Sequence, residues 1–254
     1  MRLLTWNVHR CTGRDGKASP ERIAEVIAAT APDVVALQEV DVHRPRSGGV
    51  DQADAIARAL DMQFHFNTVL RVEDREGYGD AILTALPTRR MHAGFIPGAP
   101  RVPGVERRGA LWVEIDHAGS TVQVITTHLG LTAGERRVQV DALLGPDWLG
   151  HADCHAPRIL LGDFNAIPES RAYRRLVRAM HCAQRLAGRR PQATFPSALP
   201  LLALDHVFIE APGVRETTQV IGTPLARLAS DHLPVLANID FAPADTSTDA
   251  PAIP

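Results

Sequence analysis

Asp163 and Asn165 put an acid and an amide at the end of the apolar run Leu161-Gly162-Asp163-Phe164-Asn165. The same ending recurs along the chain. Asn7 closes a run beginning at Arg2, and Glu39 ends Leu37-Gln38-Glu39-Val40. His128 stands in Thr126-Thr127-His128-Leu129, and Asp205 with His206 in Leu204-Asp205-His206-Val207-Phe208. Asp231 and His232 lie in Ser230-Asp231-His232-Leu233-Pro234. One Asp at a strand end is ordinary, because Asp and Asn stop strands and start turns. One His on an apolar strand is ordinarily a core residue with its hydrogen bond satisfied. Six such endings in one chain go beyond turn chemistry. Burying that many acids without partners is costly, and a cation drawing them together would offset the cost. The residue types suit a hard divalent cation such as Mg²⁺ or Mn²⁺, which takes oxygen ligands and keeps several waters. Glu39, Asp231, Asn7 and Asp163 can all supply oxygen. Hydrolysis of a phosphate ester needs a cation for developing charge, a base to prepare water and a donor for the oxyanion. Asp, His and Asn fill those roles.

A rival cluster, His151-Ala152-Asp153-Cys154-His155, holds metal-ligating types in five residues. No second ligand pair stands nearby at zinc-site spacing, so it reads as a polar loop between a helix and a strand.

The elements that must position these residues alternate between strand and helix, with no repeat and no linker. Arg2 to His9 reads as a strand, with Leu4, Trp6 and Val8 on one face and Leu3, Thr5, Asn7 and His9 on the other. Ser19-Pro20 supplies an N-cap and a first-turn proline, and Ile23, Val26 and Ile27 give that helix its apolar stripe. Val34 to Val40, apolar on both faces, predicts a doubly buried strand. Asp51 to Leu60 reads as helix; Gln63 to Val69, Asp80 to Ala85 and Arg90 to Ile96 read as strands. Gly109 to Asp116 and Thr121 to Leu129 form a hairpin about the turn His117-Ala118-Gly119-Ser120. Thr132-Ala133-Gly134-Glu135 is a capping box opening a helix to about Leu144. Arg158 to Leu161 is a buried strand, and Glu169 to Met180 a helix with Tyr173, Leu176, Val177 and Met180 in register. Leu204 to Glu210, Val214 to Ile221 and Pro234 to Asp240 complete the strands. A single sheet of about ten strands tends to curl or split, so two packed sheets with helices outside each are expected.

Composition bounds the function. The chain has 254 residues, 45% of them apolar, enough for a sizeable core. Its 27 Lys+Arg against 29 Asp+Glu leave a net charge of −2, without the basic excess of a protein that grips long nucleic acid. Lys17 is the only lysine; arginine forks suit phosphate, but GC-rich coding gives the same bias. Cys11, Cys154 and Cys182 are too few for a disulfide framework and fit a reducing compartment. The N-terminus is too short in apolar residues for a signal peptide, and no run reaches the length of a membrane span. The expectation is a soluble cytoplasmic protein, one domain over 1–241 with a frayed tail over 242–254. Oligomeric state is not readable.

Taken together and in this order, Thr5-Trp6-Asn7, Gln38-Glu39-Val40, Thr127-His128-Leu129, Gly162-Asp163-Phe164-Asn165, Leu204-Asp205-His206-Val207 and Ser230-Asp231-His232-Leu233-Pro234 resemble the endonuclease/exonuclease/phosphatase superfamily, the DNase I-like proteins, as a small bacterial member. The resemblance runs from about residue 2 to residue 240. It implies an α/β fold, a four-layer α/β/β/α sandwich of two packed mixed sheets. It also implies a Mg²⁺- or Mn²⁺-dependent phosphoric ester hydrolase. Glu39 would be the main metal carboxylate, with Asn7 beside it and Asp231 completing the metal environment. Asp163 would orient or deprotonate water, and Asn165 would hold a phosphate oxygen. His232, oriented by Asp205, would contact phosphate and take part in proton transfer. His128 would donate to the scissile phosphate from the other side.

Glu106-Arg107-Arg108-Gly109-Ala110-Leu111 is similar to a segment of small bacterial members, which makes Arg108 a substrate-phosphate ligand or a solvated arginine at a strand entry. Asp80 stands where the family often carries a neutral residue, and is expected to face solvent rather than add charge near His128. His9 stands where abasic-site endonucleases carry Asp, which counts against that subgroup. The substrate class expected first is a small phosphodiester or phospholipid head group. DNA or RNA is the alternative, and a non-catalytic binding role is a minor one.

Overall fold

A computed structural model describes residues 1–72, 76–98, 106–185 and 190–241. The expected tail lies outside the described residues. Two six-stranded mixed sheets stack face to face. The first contains β1 (Arg2–Asn7), β2 (Val34–Val42), β3 (Gln63–Val72), β4 (Glu76–Thr84), β11 (Arg215–Val220) and β12 (Val235–Asp240), in the order β11-β12-β1-β2-β4-β3. The second contains β5 (Thr88–Phe95), β6 (Gly109–His117), β7 (Ser120–His128), β8 (Arg158–Asp163), β9 (His181–Cys182) and β10 (Asp205–Glu210), in the order β5-β6-β7-β8-β10-β9.

The alternation in β1 sorts residues between layers. Leu3 joins Val34, Ala36, Leu111, Val113, Leu161 and Val207 between the sheets. Leu4, Trp6 and Val8 face outward with Val35 and Leu37 under α1 (Pro20–Ala28) and α2 (Gln52–Ala59). On the far side Trp112, Ile125, Leu160 and Phe208 pack under α3 (Ala133–Leu143) and α4 (Arg171–Leu176). The result is the DNase I-like α/β sandwich.

The caps fall where the sequence puts them. The Ser19 side chain accepts from Arg22 N, Asp51 from Asp54 N, and Thr132 with Glu135 closes a reciprocal capping box. The hairpin turn is Ala118-Gly119, both at positive φ (50° and 78°), between His117 and its partner Ser120. Among the α-helices, two differ from expectation. α4 stops at Leu176 rather than running from Glu169 to Met180. Arg171, Arg174, Arg175 and Arg178 sit three and four apart, where like charges weaken a helix, and His181-Cys182 is drawn off to pair with β10. A fifth helix, α5 (Pro224–Ala229), was not expected; Thr223-Pro224 caps it as Ser19-Pro20 caps α1.

Register brings the site together. β1 and β2 are parallel, with Asn7 opposite Gln38. β7 and β8 are parallel, with His128 opposite Asp163. β10 runs antiparallel with Asp205 opposite Asp163, and β12 antiparallel to β1 with Val235 opposite Thr5. The carboxyl ends of β1, β2, β7 and β8 therefore meet the amino ends of β10 and β12 at one edge of both sheets.

Candidate active site

Asn7 is buried at the end of β1 and bridges the sheets. Its Nδ2 donates to Glu39 Oε1 and to Asp163 Oδ2, both at 3.0 Å, while its Oδ1 accepts from His9 N at 3.0 Å. The β2 register shifts between Leu37 and Val40, where Glu39 takes a positive φ of 59°. That bulge keeps Gln38 inside, bonded to Thr5 and across the gap to Thr126 Oγ1 at 3.0 Å, and turns the half-buried Glu39 toward the edge.

Asp163 Oδ2 is the focus. Besides Asn7 it faces His128 Nε2 at 3.4 Å and His232 Nε2 at 3.7 Å. Its Oδ1 accepts from Asn165 N at 2.8 Å. Asn165 adopts φ 46°, and its Nδ2 donates to Leu129 O at 2.9 Å and lies 3.1 Å from His128 Nε2. Burial raises the Asp163 carboxyl to about 6, with the neighbouring Asp205 adding and His232 opposing. A base poised there works near neutral pH.

His232 Nδ1 lies 2.9 Å from Asp205 Oδ2. Burial alone would lower the ring, but Asp205, Asp163 and Asp231 outweigh it and push it up to about 10. The Ser-Asp-His segment is tied down on every side. Ser230 Oγ donates to Asn7 O at 2.7 Å, Trp6 Nε1 to His232 O at 2.9 Å, and Ser197 Oγ to Ser230 O at 2.7 Å. The Phe195 ring lies 4.8 Å from the His232 ring. Ser197 and Phe195 belong to a loop between β9 and β10 that carries no periodic signal, and sequence reasoning missed both. Their nearest cue was the Phe195-Pro196 turn signal.

Linkage makes the His232 pair testable. A histidine raised from 6.5 to about 10 stabilises the fold fully below 6.5, and that contribution is lost as pH rises through about 10. Asp163 works in the same sense over a lower window, its cost appearing as pH climbs from 3.8 through about 6. Thermal midpoints should therefore fall between pH 7 and 10, and Asp205→Asn should flatten that fall. Parallel curves from calorimetry would show that Asp205 does not hold the charge.

Asp231 opens toward solvent, its Oδ1 3.9 Å from His9 Nδ1 and 3.4 Å from Ser230 Oγ, with no described hydrogen bond to Glu39. Asp163, Asp205 and His232 offer ligand atoms within 4.8 Å of one another, so that buried group could hold a metal. A doubly protonated imidazole, however, has no lone pair to give. Among the described residues no second such group occurs, and the three cysteines are buried and free. His151 is exposed, its Nδ1 accepting from Asp153 N at 3.1 Å, as expected of a polar loop.

Two expectations require correction. Asp80 does not face solvent; it is 2% exposed, on the same side of β4 as Ile82, which packs between the two sheets. Burial raises its carboxyl to about 8, with Arg108 opposing. Arg108 is not a solvated arginine either. It is buried beside His128, its Nη1 2.9 Å from His128 Nδ1 and 2.7 Å from Glu106 Oε2. Burial, then the charge of Arg108, holds His128 well below the usual histidine range.

The model of the Endonuclease/Exonuclease/phosphatase family matches residues 4–232, and the chain belongs to that family. It is 26% identical over 251 residues to the uncharacterized protein YbhP of Escherichia coli K12, covering 94% of this chain and 95% of that one. Among solved structures it is similar to an endonuclease/exonuclease/phosphatase from Beutenbergia cavernae, with 26% identity, TM-score 0.70, and 95% and 72% of the two chains covered. It shares its fold with a mannosyl-6-phosphatase of Bacteroides thetaiotaomicron, with 19% identity, TM-score 0.74, and 95% and 100% covered. It also shares it with the human Nocturnin catalytic domain with bound sulfate, with 20% identity, TM-score 0.69, and 95% and 94% covered. The family comprises phosphoesterases and nucleases. No described helix is long and apolar enough to cross a membrane.

Proposed function

We propose that this chain is a divalent-metal-dependent phosphodiesterase acting on a small phosphodiester or phospholipid head group. The convergence of Asn7, His128 and His232 on one Asp163 oxygen carries the catalytic reading. Asp163 Oδ2 accepts a proton from the attacking water. Asn165 and His128 hold a phosphoryl oxygen. His232, charged and backed by Asp205, returns a proton to the leaving oxygen.

The donor set fits Mg²⁺ or Mn²⁺. Glu39 and Asp231 offer half-exposed carboxylates and Asn7 an amide oxygen, with no thiolate at hand. A cation held there would polarise the phosphoryl oxygen and neutralise its developing charge. Glu39→Gln should weaken Mg²⁺ binding about tenfold or more, since even residues behind a ligand matter that much. An unchanged dissociation constant by calorimetry would take Glu39 out of the metal site.

For substrate, loops leaving the site expose Leu131 (72%), Leu199 (68%) and Leu201 (70%), apolar surface suited to an acyl chain beside a head group. A second observation favours nucleic acid. Arg171, Arg174, Arg175 and Arg178 line a cleft of about 580 Å³ with Arg137, and such forks could follow a phosphate backbone. Bis-p-nitrophenyl phosphate and p-nitrophenyl phosphate, each with Mg²⁺, Mn²⁺ or EDTA, separate diesterase from monoesterase. Phospholipid and single-stranded DNA substrates then separate the two readings. Failure to cleave either ester, in a folded chain that binds Mg²⁺, would favour a binding role.

A further inference from the structure

The ring of His128 is bounded by more hydrogen-bond donors than it can serve. Arg108 Nη1 lies 2.9 Å from Nδ1, and a guanidinium has no acceptor. Asn165 Nδ2 lies 3.1 Å from Nε2. That amide cannot be turned over, because Nδ2 also donates to Leu129 O at 2.9 Å, where an amide oxygen would meet another oxygen. The acceptor in reach is Asp163 Oδ2, 3.4 Å from Nε2. A neutral imidazole has one N–H and one lone pair, so it cannot accept from both Arg108 and Asn165.

Charge decides which is served. A ring proton on Nδ1 would point an N–H at a cationic N–H 2.9 Å away. A proton on Nε2 instead faces the Asp163 carboxylate and leaves only a neutral amide N–H without a partner. Arg108 cannot back away, since the same Nη1 is anchored from behind by Glu106 Oε2 at 2.7 Å.

We infer that Arg108 is a positioning residue that holds His128 as the Nε2–H tautomer, so that Nε2–H and the spare N–H of Asn165 form a two-donor seat for one phosphoryl oxygen. The identity of that anion rests on the proposed phosphoester hydrolysis. Arg108 thus acts through His128 rather than on the phosphate. Its charge also opposes a second ring proton, so His128 binds without exchanging protons, and proton transfer falls to Asp163 and His232. Two donors aimed at one spot, with only the Asp163 carboxylate 3.4 Å from Nε2 to accept, suit a developing oxyanion.

Long-range ¹⁵N–¹H correlation spectra of the full chain, labelled in histidine and without metal, read the tautomer directly. His128→Gln assigns the ring. The wild type should show a protonated Nε2 and an unprotonated Nδ1. Arg108→Met should move the ring to a mixture or to the other tautomer, and Arg108→Lys should restore it. Added inorganic phosphate should shift Nε2 in the wild type, with at least tenfold weaker binding in Arg108→Met. An Nδ1–H ring or an imidazolium in the wild type overturns the inference, as does an unchanged tautomer in Arg108→Met. Phosphate that leaves Nε2 unmoved overturns the seat. If Arg108→Met does not fold, the wild-type spectrum and titration still decide. No turnover is needed, so an inactive chain with an Nε2–H ring would sink the hydrolase reading alone, and an active chain with an Nδ1–H ring would sink this one alone.

Discussion

Asp163→Asn is expected to lower kcat on a diester by about a thousandfold, within the range that a positioned base contributes. The substitution keeps shape and leaves one oxygen to accept from Asn165 N or from Asn7 Nδ2. It removes the oxygen lone pairs and the charge that meet Asn7, His128 and His232 together. KM should change far less than kcat, because the proposed mechanism gives the substrate contacts to Asn165 and His128. Circular dichroism would confirm the fold. A variant turning over near the wild-type rate would remove Asp163 from the chemistry.

Gly162→Ala should be nearly as damaging by an entirely steric route. Gly162 sits at φ +146°, and a Cβ there would lie 2.0 Å from the Thr127 carbonyl oxygen of the neighbouring strand. Thr127 pairs with Gly162 one step before His128 pairs with Asp163. A methyl group would wedge β7 from β8 where the site is assembled. Overpacking and an unfavourable backbone together should cost about 3 kcal/mol or more. Even a molecule that folds would present His128 and Asp163 off register, and a misplacement of about 1 Å can cost about a hundredfold in rate. Denaturant midpoints and kcat measured together would test this. A silent substitution would mean that the two strands slide freely.

Much of the site was legible because it sits at strand ends. Apolar alternation and continuous apolar runs located β1, β2, β7, β8, β10 and β12, and the acids, amides and histidines at or beside their ends were already the residues that meet at the edge. What the sequence hid depends on contacts across layers. Arg108 follows Glu106 and Arg107, a charged run that reads as solvated. Its burial comes from Asp80, Glu106 and His128 gathering from three different strands or their approaches. Asp80 looked exposed because one polar residue in a strand ordinarily points outward, yet β4 is covered on both faces. Asn7 was legible as a site residue, but the direction of its amide, nitrogen toward two carboxylates, follows only from the meeting of the sheets. The shortened α4 reflects arginine repulsion overriding a sound apolar stripe.

The left-handed backbone at Glu39 and Asn165 sets two selective demands against each other. Asn tolerates that conformation, whereas Glu does so at a cost of about 1–3 kcal/mol. Glycine at position 39 would relieve the cost and delete the carboxylate in one step. Selection of this chain for heat resistance alone would thus favour losing Glu39, and sequences drifting toward greater robustness would pass through loss of the acid proposed to hold the metal.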